Sequence, residues 1–388
     1  MKKKIIILGS TGSIGKTLFN ILKKDKKNFD ILLLTANKNI NELLKQIKIF
    51  KVKNIIVTDK QKYSKIKSIL KNKKIKVFNN FDTLDEIIKK KKVDYTMSSI
   101  SGREGLKPTL NLITYSKNIA IANKESIICA WPLIKKKLSK HKTKFIPIDS
   151  EHFSIYSLID SSKINNLEKV FITASGGPFK NLPLKKFSTI KLSSALKHPN
   201  WKMGKKITID SSTLMNKVFE IIEAKKIFDL DYKQLNILIH PKSYVHAMVK
   251  FKNGLTKILI HDTNMIIPIF NSLYPNKNKI ISSKKIDFSI LNHLSFEKVD
   301  QKKFPVVKIL KTLPDNHSLF ETIVVSSNDT LVKMFLDKKI KFLDISKNLL
   351  KIIKNKEFMK YKRLKPKNVN EIIKLSKYVS LKIQSLSI

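Results

Sequence analysis

The first fifteen residues constrain the fold more than any other stretch. Ile5-Ile-Ile-Leu8 is an unbroken apolar run, as in a strand covered on both faces. It leads directly into Gly9-Ser-Thr-Gly12-Ser-Ile-Gly15 and then into a helical pattern through Leu18, Ile21 and Leu22. The GxxGxxG spacing is a variant of the dinucleotide fingerprint: a tight turn, bare N–H groups for a pyrophosphate, and a helix N-terminus behind them. Average usage would give roughly 27 glycines in a chain this long. This one has nine, and they cluster: Gly102 with Gly105, Gly176 with Gly177, and Gly204 alone, with only Gly254 reading as an ordinary hairpin turn. In so glycine-poor a chain the clusters mark sharp bends or close approaches to a ligand.

Strand-like and helical runs alternate through the first 149 residues, with strands at Ile31-Leu34, Asn54-Thr58, Ile75-Phe78, Tyr95-Ile100, Ile119-Ala122 and Phe145-Ile148. The expected class is α/β: a Rossmann-like doubly wound parallel sheet over 1–149, a second α/β catalytic domain over 150–275 with a flap near 198–204, a linker over 276–300 and a helical C-terminal domain over 301–388. The second strand ends at Thr35-Ala-Asn-Lys-Asn39 without the acid that usually holds an NAD ribose, and Lys38 favours NADP(H); a solvated loop lysine is the competing reading.

The net charge of +48 invites a nucleic-acid reading, but Arg103 and Arg363 are the only arginines and the lysines are scattered. The bias belongs to composition, and no specific nucleic-acid partner is expected. Cys129 is the only cysteine and reads as a buried thiol, which excludes an internal disulfide. No apolar run approaches a membrane span, and Met1-Lys4 leads straight into the first strand, so a cytoplasmic protein without membrane association is expected.

Four further stretches carry candidate chemistry. Phe145-Ile-Pro-Ile-Asp149-Ser-Glu151-His152 reads as a strand, a polar turn and a helix start. Its two acids can converge on a hard cation, or act as a helix cap and a first-turn acid; on this stretch alone the second reading is favoured. Thr173-Ala-Ser175-Gly-Gly is a phosphate-nest candidate. His198-Pro-Asn-Trp201-Lys-Met203-Gly204 suggests a mobile loop with an apolar lid, or a packed surface loop. In Asp210-Ser-Ser-Thr-Leu-Met-Asn216-Lys217-Val-Phe-Glu220, Ser211 or Ser212 can cap a helix whose polar stripe holds Asn216, Glu220 and Glu223. Structural roles are expected for His240 and His246, and residues 301–388 offer no obvious chemistry.

These motifs in this order resemble the 1-deoxy-D-xylulose 5-phosphate reductoisomerase family: GSTGSIG at 9–15, ANKES at 122–126, IDSEH at 148–152, SGGPF at 175–179, HPNWKMG at 198–204 and DSSTLMNKVFE at 210–220. The resemblance implies an NADPH- and Mg²⁺- or Mn²⁺-dependent reductoisomerase of the non-mevalonate isoprenoid pathway, usually a homodimer, acting on a sugar phosphate. It implies Thr11, Gly12, Ser13 and Ile14 at the cofactor pyrophosphate, Asn37, Lys38 and Asn39 at the adenosine end, and Asn123, Glu125 and Gly204 as further cofactor contacts. It implies Asp149, Glu151 and Glu220 as metal ligands, which reverses the cap reading. Ser175, Ser211, Asn216 and Lys217 would hold phosphate or nearby oxygens; Lys124, Ser150, Glu151, His198 and Glu220 would meet the substrate; Trp201 and Met203 would close over it. Lys124, Glu151, His198, Trp201 and Met203 form the expected catalytic set, and His152 receives no role. Asn37, Trp131 and Val218 stand where family members usually have Gly. The alternatives are another metal-assisted NADP dehydrogenase acting on a hydroxy acid, which would want an arginine clamp, and a lysine-rich nucleic-acid-binding protein, which an acidic triad disfavours.

Overall fold

In the computed structural model, residues 1–88, 92–159, 166–201, 203–275 and 279–385 are described. Lys202 in the expected flap, residues 276–278 at the start of the expected linker and Leu386 at the end of the last helical run lie outside them. The chain forms two compact units, Met1–Ser126, Pro132–Asp149 and Met265–Ile281 in the first, and Ile127–Trp131, Ser150–Asn264 and Ser282–Ile388 in the second.

The first unit is built on seven parallel strands: β1 (Lys3–Leu8), β2 (Phe29–Ala36), β3 (Asn54–Val57), β4 (Lys76–Phe78), β5 (Val93–Ser98), β6 (Ser116–Ile121) and β7 (Lys144–Pro147). Their order is β4-β3-β2-β1-β5-β6-β7. The sequence winds outward in both directions from β1, so the crevice for a ligand opens at the carboxyl ends of β1 and β5. Ile5 to Leu8 are fully buried, as their unbroken apolar run requires. Between the strands come α1 (Ser13–Lys24), α2 (Ile40–Phe50), α3 (Lys60–Ile69), α4 (Leu84–Ile88), α5 (Leu106–Ile113) and α6 (Lys124–His141). A kink at Ala130 interrupts α6 two residues before Pro132, whose ring cannot continue the helical hydrogen-bond ladder. Leu18 and Leu22 of α1 join Ile5, Ile7 and Leu34 in one core, and Ile269 and Leu273 of α11 (Ile266–Leu273) complete it from far along the sequence. Tyr95 on β5 hydrogen-bonds Ser272 of that helix at 2.8 Å.

The second unit opens with α7 (Ser150–Leu158), followed by β8 (Leu167–Ala174), α8 (Leu192–Ala195), α9 (Lys205–Ser212) and α10 (Met215–Phe228). Next come β9 (Leu235–Ile239), β10 (Val245–Phe251), β11 (Thr256–Ile260), α12 (Phe288–Asn292) and β12 (Glu297–Lys298). The sheet order is β11-β10-β8-β9-β12, mixed in direction, with β8 and β9 parallel. Gly254 turns β10 into β11 at φ +87, the expected hairpin. The tail is helical as expected: α13 (Phe320–Leu336), α14 (Phe342–Ile353), α15 (Lys356–Met359) and α16 (Val369–Ser385). Among the described residues no helix is long and apolar enough to cross a membrane.

One local expectation changes. Ser211 and Ser212 end α9 rather than cap the next helix; the cap of α10 is Leu214, held left-handed at φ 68 by its buried setting. The polar stripe of Asn216, Glu220 and Glu223 lies on α10, with Glu220, Glu223 and the neighbouring Lys217 buried. Asn37 adopts no positive φ.

Candidate active site

Parallel strands deliver the cofactor-type residues of the first unit to one sheet edge. Gly9 has φ +70, and a side chain there would meet Ser99 O at 2.8 Å. Gly15 lets α1 press onto the loop: a Cβ would lie 2.4 Å from Gly9 O. Ser10 is buried, hydrogen-bonded to Thr35 and Gln46, and so builds the loop. Thr11 and Ile14 are half-buried, while Gly12 and Ser13 are exposed. Gly12 caps α1 without a side-chain acceptor, which leaves the helix N–H groups for an anion.

Asn37, Lys38 and Asn39 follow β2 and are exposed; Asn39 also caps α2 by accepting from Glu42 N at 3.2 Å. Asn123 is buried and fully employed: its Oδ1 caps α6 at Ser126 N, and its Nδ2 donates to Ile100 O and to Gly102 O. It therefore shapes the crevice through the backbone it holds. Glu125 stands in the first turn of α6. Lys124 Nζ pairs with Asp149, the last residue of this unit, whose other oxygen Oδ1 is buried without a hydrogen-bond partner.

In the second unit two constellations form. Glu151, on the first turn of α7, and Glu220, on α10, have carboxylate oxygens within 4.8 Å of each other. Lys217 Nζ stands between them, 2.5 Å from Glu151 Oε1 and 2.5 Å from Glu220 Oε2. Burial works against the ammonium charge, but the two carboxylates overcome it and lift the Lys217 pKa to about 12. Ser150 Oγ donates to Glu151 Oε2 and Asn216 Nδ2 to Glu220 Oε1, each at 2.5 Å. Asn216 Oδ1 is buried without a donor. Paired carboxylates with a cation between them, supported by amide and hydroxyl oxygens, make an oxygen-only donor set that fits a hard divalent ion. The orphaned oxygen of Asn216 is an acceptor that such an ion, or its water, would satisfy.

The second constellation is the phosphate-type cradle. Gly176 and Gly177 take φ +84 and +66, and Ser175 Oγ accepts from Gly177 N at 3.1 Å. His198 Nδ1 accepts from the backbone of Asn200 at 3.1 Å and Trp201 at 3.0 Å, so the ring proton sits on Nε2. Nε2 then donates to Ser211 Oγ at 3.0 Å, with Ser175 Oγ at 3.3 Å. Burial, and then the Lys217 charge, depress the His198 pKa to about 4 and keep it neutral. Each hydroxyl already accepts a hydrogen bond, so its own proton is free to point at an anion.

The loop that follows is rooted at one end. Asn200 Nδ2 donates to Pro241 O and to Ser243 Oγ, both at 2.8 Å, and Trp201 lies edge-on to His246 at 6.0 Å. Met203 is half-buried; Gly204 is exposed, with open space around it.

The sequence reading missed three contributors. His152 is buried and donates from Nε2 to the backbone carbonyl of Glu220 at 2.9 Å, so it braces α10 at the acidic pair. His261 stacks on His246 at 3.7 Å, out of reach of any sequence spacing. Asn200 pins the loop. Only His152 had a signal, its place one residue after Glu151. His246 donates to His261 O at 3.1 Å, and His240 stacks on Phe296 just beyond β9. Cys129 is buried, as expected.

Three family models match this chain. 1-deoxy-D-xylulose 5-phosphate reductoisomerase covers residues 5–131, its C-terminal domain covers 145–228, and the DXP reductoisomerase C-terminal domain covers 261–380. A 1-deoxy-D-xylulose 5-phosphate reductoisomerase of Pelagibacter ubique is 63% identical over 387 residues, covering 100% of both chains. The Zymomonas mobilis enzyme, solved in complex with NADPH, superimposes with a TM-score of 0.89 at 30% identity, covering 100% of both chains. A DOX-P reductoisomerase solved with NADPH, fosmidomycin and magnesium gives a TM-score of 0.91 at 29% identity, covering 99% of this chain and 98% of that one.

Proposed function

This chain belongs to the 1-deoxy-D-xylulose 5-phosphate reductoisomerase family, and we propose from that premise how its residues perform the reaction. It rearranges and reduces 1-deoxy-D-xylulose 5-phosphate to 2-C-methyl-D-erythritol 4-phosphate, using NADPH and a divalent metal. The product feeds the non-mevalonate isoprenoid pathway in the cytoplasm. The observation that carries the residue assignments is the buried Glu151–Lys217–Glu220 row.

Asp149, Glu151 and Glu220 hold Mg²⁺ or Mn²⁺, and the cation supplies Lewis acidity to the sugar oxygens. Lys217, which stands between two of these acids, is then free to turn its charge to the substrate phosphate. Ser175, Ser211 and Asn216 complete that phosphate site, and the neutral Nε2–H of His198 orients the two hydroxyls. Lys124 and Ser150 fix the rest of the sugar, with Lys124 also steering the Asp149 carboxylate. Holding the phosphate at one end lets remote binding energy orient the reacting carbons. Trp201 and Met203 close over the substrate, with Asn200 as a fixed root, and exclude water.

NADPH supplies the hydride. Thr11, Gly12, Ser13 and Ile14 meet its pyrophosphate, Asn37, Lys38 and Asn39 its adenosine end, and Asn123, Glu125 and Gly204 the remainder. The division into residues 1–149, 150–275, 276–300 and 301–388 follows these roles. We also infer a homodimer: β11 is an edge strand, and Leu255, Ile258 and Ile260 on it or beside it are exposed apolar groups. The hydroxy-acid reading lacks its arginine clamp, since Arg103 is paired with Glu104. The test of the assignments is single substitution of Glu151, Lys217 and Glu220. Each should abolish turnover while NADPH binding persists, and retained metal-dependent turnover would discard the row as the site.

A further inference from the structure

The phosphate-cradle helix α9 is held from behind by a buried polar clamp on α13. Asp210, one residue before Ser211, is 2% exposed. Its Oδ1 accepts from Asn328 Nδ2 at 2.7 Å, and Asn328 is fully buried. Lys206, one turn earlier on α9, reaches Asp210 Oδ2 at 3.2 Å and Asp329 Oδ1 at 2.9 Å. The same ammonium lies 5.4 Å from the ring centre of Phe219 on α10. A carboxylate this enclosed is tolerated only when it is paired and hydrogen-bonded.

We infer that Asn328 is a positioning residue for the phosphate cradle, acting through Asp210. The geometry has three consequences. Asp210 stands two residues before the end of α9, so fixing it fixes the rotation of that helix. Ser211 Oγ must stay at 3.0 Å from His198 Nε2 for its proton to face the anion. The α9 backbone also walls the nest, because a Cβ on Gly177 would meet Ser211 O at 3.1 Å. A rotation of α9 therefore moves both the hydroxyl and the wall of the cradle. Asn328 touches neither substrate nor cofactor. It gives the C-terminal helices, which the sequence left without chemistry, a direct part in substrate affinity.

The inference rests on the phosphate site proposed above, so the experiment begins with the unaltered protein. Competitive inhibition by inorganic phosphate against the sugar phosphate establishes that site; its absence would sink the site itself. Asn328→Ala, Asn328→Asp and Asp210→Asn are then compared with the exchanged pair Asp210→Asn/Asn328→Asp. That pair restores a hydrogen bond with donor and acceptor reversed. Each single variant should raise KM and the phosphate inhibition constant at least tenfold, with kcat within threefold and NADPH affinity unchanged; a misplacement of about 1 Å is enough for such losses. The exchanged pair should recover most of both. A folded Asn328→Ala protein with both constants within twofold of the unaltered enzyme, or folded single variants that the exchange does not repair, would overturn the inference. If Asn328→Ala does not fold, Asp329→Asn at the more exposed edge of the clamp takes its place, and unchanged constants there would count equally against it.

Discussion

Replacing Glu220 with Gln removes one charge from the row Glu151–Lys217–Glu220 and little else. Gln keeps the side-chain length and an acceptor for Asn216. At an effective dielectric of about 20, the 2.5 Å pairing of Lys217 with Glu220 is worth about 7 kcal/mol before desolvation. Repulsion between Glu151 and Glu220, across no more than 4.8 Å, costs at least about 3.5 kcal/mol on the same scale. Losing both leaves the metal-free variant less stable by at most about 3 kcal/mol, the low end of the cost of removing one partner from a buried pair. For a unit of this size that is a fall of roughly 6–12 °C in Tm. A divalent ion meets one negative ligand fewer, and its affinity should fall at least roughly 100-fold, the upper loss for merely supporting residues. Differential scanning calorimetry with and without Mg²⁺, titration calorimetry with Mg²⁺ and Mn²⁺, and NADPH fluorescence separate these effects. The metal-free Tm should drop, the metal-induced rise in Tm should vanish, and NADPH affinity should hold. A folded variant that binds Mg²⁺ within threefold of the unaltered protein and still turns over would refute the reasoning.

Three further outcomes follow from the geometry. Lys38→Glu should weaken NADPH roughly tenfold or more and leave NADH nearly unchanged, because only NADPH carries the 2′-phosphate; equal losses in parallel fluorescence titrations would contradict that role. Gly15→Ala places a Cβ 2.4 Å from Gly9 O, so α1 must shift and NADPH affinity should fall more than tenfold, as read by the same titration. His198 has its pKa lowered to about 4 by burial and then by the Lys217 charge, so the folded state prefers the neutral ring. The stability it confers is present above its unfolded pKa of about 6.5 and is lost as pH falls toward 4. The Tm of the unaltered protein should decline more steeply over that window than the Tm of His198→Asn.

The parts of the fold that one stretch can specify were legible in the sequence. The run Ile5-Leu8 with its three glycines defined β1, the turn and α1, and Asp149-Ser150-Glu151 defined the entry to α7. The successive positive φ values of Gly176 and Gly177 were likewise implied by their place after a strand. Features fixed by distant partners were not legible. Leu214 adopts φ 68 because tertiary packing holds it there, overriding the serine caps that local propensity favours. The burial of Glu220 on α10 rests on partners that spacing alone does not pair: His152 meets its backbone carbonyl across 68 positions, and Glu151 shares Lys217 with it. Residues 265–281 rejoin the first unit through apolar contacts that no sequence period announces. The Asn328–Asp210 bond spans 118 positions.

The central claim is that the oxygen-donor row makes this chain a metal-dependent, NADPH-consuming reductoisomerase. The most direct measurement follows NADPH absorbance on adding 1-deoxy-D-xylulose 5-phosphate, with Mg²⁺ or Mn²⁺ and with a chelator. NADPH should be consumed only with metal present, with 2-C-methyl-D-erythritol 4-phosphate formed in equal amount. Folded protein that consumes no NADPH in the presence of either metal, or that consumes it equally under the chelator, would contradict the account.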